Sequence, residues 1–164
     1  MSKYFLWRVA PALVLVSGAV AVAAVKVETE RNTEQASSAF KFQRVPTPSA
    51  SDSGTDARFE IISGRADGNG AGLEVLSDGE VPEDHDEPGA NFFFDSGTDG
   101  GRLLADLGKV VEIKQVNTYS WHPNTRGPQV YTLYAADGAA EGFKEKPGAE
   151  AKPEAAGWRM IARV

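Results

Sequence analysis

From residue 38 onward the apolar residues fall in short runs of period two, broken by turn residues. Phe40 and Phe42 alternate with Lys41 and Gln43, and RFEIIS at 58–63 repeats that spacing, which is the signature of a strand. Residues 102–107 predict another. VVEIKQVNTYSW at 110–121 predicts a long one, in which Val111, Ile113, Val116 and Thr118 do not keep strict alternation. A bulge, or burial on both faces, accounts for that. QVYTLYAA at 129–136 is apolar on both faces and predicts an inner strand, and WRMIARV at 158–164 alternates again. Between these runs lie turn signals: VPTPSASDSGTDA at 45–57, the Gly- and Asn-rich 64–72, SDG at 77–79, the acidic EVPEDHDEPGA at 80–90 and DSGTDGG at 95–101. Phe92, Phe93 and Phe94 supply a run of aromatic core. No long amphipathic helix interrupts the series, so the pattern predicts an all-β sandwich or barrel.

The first 37 residues read differently. Lys3 and Arg8 precede an uncharged apolar run at 9–25, and Ala19, Ala21, Ala23 and Ala24 close it. This is the layout of an export signal, with cleavage expected after Ala23 or Ala24. The alternative is an uncleaved anchor, for which about 17 residues is the lower limit. Residues 1–24 are therefore assigned as a signal peptide or membrane anchor, 25–37 as a flexible polar leader, and 38–164 as the β domain. Within that domain, 139–156 (AAEGFKEKPGAEAKPEAA) is a low-complexity insertion read as solvated. The expected location is periplasmic, extracellular or on the cell surface, with membrane contact only if the first segment stays uncleaved.

Composition narrows the chemistry. The chain has 17 basic and 23 acidic residues, net −6; without Lys3 and Arg8 it has 15 against 23, net −8. So acidic a surface does not grip phosphate backbones, and nucleic acid is not an expected partner. With no Cys, an exported domain must be stable without disulfides, and thiol catalysis and zinc–thiolate sites are excluded. The run Glu83-Asp84-His85-Asp86-Glu87 reads as a solvated acidic loop. A faint EF-hand spacing, Asp67, Asn69, Gly72 and Asp78, fails because Ala71 fills a ligand position and no helices flank it. Nothing assembles a nucleophile, a base and an oxyanion site, so an enzyme is not expected.

Two constellations point to binding. The loop WHPNTRGPQ, 121–129, offers Trp121 to stack on the C–H face of a sugar, with His122, Asn124 and Arg126 to reach its hydroxyls. The bland alternative is that Trp121 caps the core while Arg126 is a solvated turn residue. Asp78 with the turn at Gly79 offers hard oxygen suited to Ca²⁺, against the alternative of an Asx turn.

Four phrases, in order, resemble the galactose-binding-like jelly-roll family of the discoidin or coagulation factor 5/8 C-terminal type. They are LSDG at 76–79, DLGKVVEIKQVNTYSW at 106–121, GPQVYTLYAADG at 127–138 and GWRMIARV at 157–164. The resemblance spans most of 36–164. It implies a β-sandwich that binds rather than catalyses. It implies ligands such as sugars, other glycans, lipid head groups or proteins held by loops at one end, and a structural calcium ion near the L-x-DG loop at Asp78. The family's closing strands and its late acidic residue have no counterpart here. Either Val164 closes a last edge strand or the chain is the front of a longer domain, and the unpaired edge together with the resemblance favours the second. The function expected is an exported, non-catalytic carbohydrate- or glycan-binding module. The alternative is a structural or protein-interaction domain, for adhesion or assembly, with no small ligand.

Overall fold

In a computed structural model of the chain, the residues described are 25–31, 41–84, 86–97, 100–120 and 129–164. They are β-rich. Strand β1 (Arg58–Ser63) pairs antiparallel with β2 (Arg102–Asp106), and β3 (Thr132–Ala135) with β4 (Arg159–Arg163), as two separate two-stranded sheets. Short 3-10 turns at Leu73–Leu76, Pro88–Ala90 and Pro153–Ala156 are the helical elements among the described residues. None of the described helices is long and apolar enough to cross a membrane. The segment assigned as signal or anchor, 1–24, lies outside the described residues.

The first sheet is longer than its strands. Beyond the Ser63–Arg102 pair, Ala66 bridges Phe94. Asp95 N–H donates to the Arg65 carbonyl (2.7 Å), Asp67 N–H to Phe93 (2.9 Å) and Ala71 N–H to Asn91 (2.8 Å). Residues 58–71 thus run against 91–95 and 102–106. The two parts of this pairing meet in close packing at glycines. Gly64 has φ +89°, and a Cβ there would stand 2.8 Å from the Gly100 carbonyl and 2.9 Å from the Phe94 ring. An L side chain is disfavoured on both counts. Asn91, 8% exposed, keeps its polar groups satisfied, its Nδ2 donating to the Glu87 carbonyl at 2.9 Å and its N–H to that of Pro88 at 3.0 Å. Phe92 and Phe94 meet edge to face, centroids 5.2 Å apart. The expected aromatic core is nonetheless only half-buried, because a two-stranded ribbon has no second layer to cover both faces.

The second sheet carries the insertion. The 3-10 turn at Pro153–Ala156 ends at Gly157, φ +87°, whose N–H returns to the Glu154 carbonyl, and Trp158 N–H reaches that of Pro153. Pro at the start and Gly at the end of PEAAG encode this turn. Phe143 packs on Trp158 at 5.5 Å, Trp158 Nε1 donates to the Lys144 carbonyl (3.0 Å), and Lys144 N–H to that of Ala156 (3.0 Å). Residues 139–156 are thus a folded arm; Pro147 is buried and Ala156 is 4% exposed.

This arm joins the sheets. Arg102, at the start of β2, donates to the carbonyls of Gly148 (2.7 Å), Ala151 (2.8 Å) and Pro147 (3.4 Å). Lys146 reaches Glu60 of β1 at 2.5 Å. Arg102, Leu104 and Asp106 share one face of β2, and Leu104, 6% exposed, is the other apolar residue buried among those described.

Two predicted strands, at 40–43 and 110–121, do not form among the described residues. Residues 110–120 carry no strand, leaving Val110 (75% exposed), Ile113 and Val116 open to solvent. A spacing of three sends neighbours in this series to opposite faces, so the exposed apolar residues are divided between the two sides of an extended chain. Near residue 42, Phe42 instead sets its ring against Tyr119 at 5.5 Å.

The described part of the leader, 25–31, is tied down. The Glu30 carboxylate accepts the N–H groups of Gln43 (2.7 Å), Arg44 (2.7 Å) and Val45 (3.0 Å). Those bonds, led by Arg44, hold its pKa below the ordinary carboxylate range. The tether is complete above the unfolded carboxylate's pKa and is lost as the pH falls through the lowered folded value. In an acid titration the amides of Gln43, Arg44 and Val45 should move together, below the pH at which free glutamates titrate. A transition at the ordinary glutamate pH would contradict the tether.

Candidate functional site

The loop 121–128 leaves the unpaired segment that ends at Ser120 and returns at Gln129, just before β3. Its two stems are held together by side chains. Thr118 Oγ1 donates to Gln129 Oε1 and lies 3.0 Å from the Tyr131 hydroxyl. Tyr131 is fixed in turn by backbone bonds with Val164, N–H to carbonyl in both directions (3.0 and 2.9 Å), which extend the β3–β4 ladder by one pair. On the other stem the Tyr119 hydroxyl donates to the Pro46 carbonyl at 2.6 Å. Burial, and then the nearby Asp52, raise the Tyr119 pKa, so its phenol stays neutral and keeps that donor. Thr118, Gln129 and Tyr131 form a polar clamp across the loop's base, with the Phe42–Tyr119 pair on the Thr118 stem.

Trp121, His122, Asn124 and Arg126 lie outside the described residues, as does His85. Asp78 is described: it is exposed, and its Oδ1 accepts the Glu80 N–H at 2.9 Å, an Asx turn. Gly79 has φ +81°, and a Cβ there would meet the Ala50 backbone nitrogen at 2.6 Å, so the turn packs against 49–50. No group of three or more His, Asp or Glu able to hold a metal occurs among the described residues. Calcium takes six to eight oxygens, and Asp78 brings one carboxylate with an oxygen already engaged. The described side-chain donors there do not fit a calcium cage. Asp67 likewise spends its Oδ1 on Asn69, accepting from N–H (2.8 Å) and Nδ2 (2.9 Å).

In comparisons with known protein families, with curated proteins and with solved structures, nothing matches this chain.

The clamp residues were not anticipated from sequence. Their signal was present but weak: a hydroxyl, an amide and a phenol placed symmetrically about WHPNTRGP, in stretches read only for apolar alternation.

Proposed function

We propose that the chain is an exported, non-catalytic binding module of the galactose-binding-like jelly-roll type. It takes a carbohydrate or surface glycan at the loop 121–128 through Trp121, His122, Asn124 and Arg126. The observation that supports this most is the Thr118–Gln129–Tyr131 clamp. Binding a sugar by stacking and a few hydrogen bonds leaves little surplus for ordering a loop. A stem fixed in advance lowers that cost.

The test is retention of the full chain on immobilised galactose-type sugar. Trp121→Ala should lose about tenfold or more in affinity, roughly 1.4 kcal/mol, with an unchanged amide spectrum elsewhere. Thr118→Val, which keeps the shape and removes the hydroxyl, should weaken binding while leaving Trp121 in place. A second reading is a structural or protein-interaction domain. The exposed Val110, Ile113, Val116 and Val130, the last 87% exposed, favour it, since large apolar side chains left open to solvent are what a partner protein would cover. Equal retention of parent and Trp121→Ala would overturn the glycan reading in favour of that one.

A further inference from the structure

We propose that the arm 139–156 carries a second binding site, for a small oxyanion (phosphate or sulfate, free or as the end group of a larger ligand). A cavity of about 350 Å³ lies in this arm, at the small end of ligand sites. Lys144, Lys146 and Lys152 line it, and no acidic side chain does. This runs against the composition: the chain is net −6, and the arm itself contains Glu141, Glu145, Glu150 and Glu154. Glu145, between Lys144 and Lys146, lies outside the lining, at a bend, and its charge acts on Lys146 as well as on Arg58.

The walls are fixed before any ligand arrives. Lys144 N–H is bonded to the Ala156 carbonyl (3.0 Å), and Pro147 and Ala156 are buried. Arg102 occupies the carbonyls of Gly148, Ala151 and Pro147. It thereby takes up lone pairs that would repel an anion and adds a cation behind the wall. Lys146 is tied to Glu60, but both side chains are about half exposed, 47% and 52%. Such a pair contributes little, so an incoming oxyanion displaces it at small cost. Lys144 and Lys152 have no ion-pair partner among the described residues. Three point-like ammonium groups suit a compact tetrahedral anion, whereas a planar carboxylate is better matched by the arginine fork, which this cavity lacks.

The site is independent of the loop 121–128 and is tested separately. The full chain, isotopically labelled, is titrated with sodium phosphate and with sodium sulfate at constant ionic strength, against a chloride control. The amides of Lys144, Gly148, Ala155 and Ala156 should shift and saturate, while those of Thr118, Gln129 and Tyr131 stay still. The double variant Lys144→Gln/Lys152→Gln should weaken binding about tenfold or more. Both lysines are exposed, so its β1–β2 amides should match the parent and show the fold intact. If they do not, Lys152→Glu alone serves, with the same expected loss. A phosphorylated or sulfated sugar binding more tightly than the inorganic ion would support the site as a reader of end groups, and equal affinity would support it as a free-ion site. Linear shifts equal to those in chloride, or undiminished saturation in the variants, would overturn the proposal.

Discussion

Gly64→Ala should be among the most damaging single-methyl changes in the described chain, beside Gly79→Ala. At Gly64 the methyl would fall 2.8 Å from the Gly100 carbonyl and 2.9 Å from Phe94, at φ +89°. A non-glycine residue held in such a region costs about 1–3 kcal/mol. The backbone oxygen cannot turn aside as a long side chain would, so the clash adds to that. The consequence is large because burial is thin: Leu104, Ala156 and Pro147 are the apolar residues buried among those described. Marginal stability leaves little reserve. In urea, Gly64→Ala should unfold at a clearly lower midpoint than the parent. Gly68→Ala is the control. It meets nothing within 4 Å and has no positive φ, so it should unfold with the parent or slightly later, its unfolded state being the more restricted. Coincident midpoints for Gly64→Ala and the parent would contradict the packing of Gly64 against Gly100 and Phe94.

Arg102→Ala should come second, with an effect of a different kind. Its guanidinium reaches three carbonyls of the arm, and hydrogen bonds to a charged group contribute about 1.5–3 kcal/mol. With Arg102 removed, Lys146–Glu60 is the ion pair left between arm and first sheet among the described residues, and it is exposed and weak. Amide exchange should therefore accelerate across 144–157 while the β1–β2 ladder keeps its protection. Arg102→Lys should recover only part of the loss, since one ammonium cannot span the Gly148 and Ala151 carbonyls as a planar fork does. Unchanged protection of the arm in Arg102→Ala would show that the sheets are joined by something else.

The strands that sequence predicts well are short apolar-rich runs bounded by turn signals. RFEIIS forms β1 at 58–63, β2 ends one residue before the expected 107, and β3 and β4 fall inside 129–136 and 158–164. Residues 110–121 have comparable β-forming composition, yet 110–120 form no strand, and Val110, Ile113 and Val116, divided between the two faces of an extended chain, stay exposed. The arm 139–156 is largely exposed, and its anchoring is not legible in sequence: its anchors are backbone carbonyls facing a distant arginine, and carbonyls leave no mark in a side-chain pattern. The loop clamp spans eleven positions from Thr118 to Gln129, a contact that periodicity does not encode. Of the residues expected to bind ligand, Asp78 is described and forms an Asx turn; the other four, Trp121, His122, Asn124 and Arg126, rest on the chemistry of their side chains and on resemblance.

The most direct test of the account is a two-dimensional amide spectrum of the full chain during titration with galactose-type sugars, with and without calcium. The account predicts saturating shifts at Thr118, Gln129 and Tyr131, the base of the 121–128 loop, with the same affinity in calcium and in chelator, and none along 144–156. A spectrum in which the loop's base stays still at every sugar concentration would contradict it.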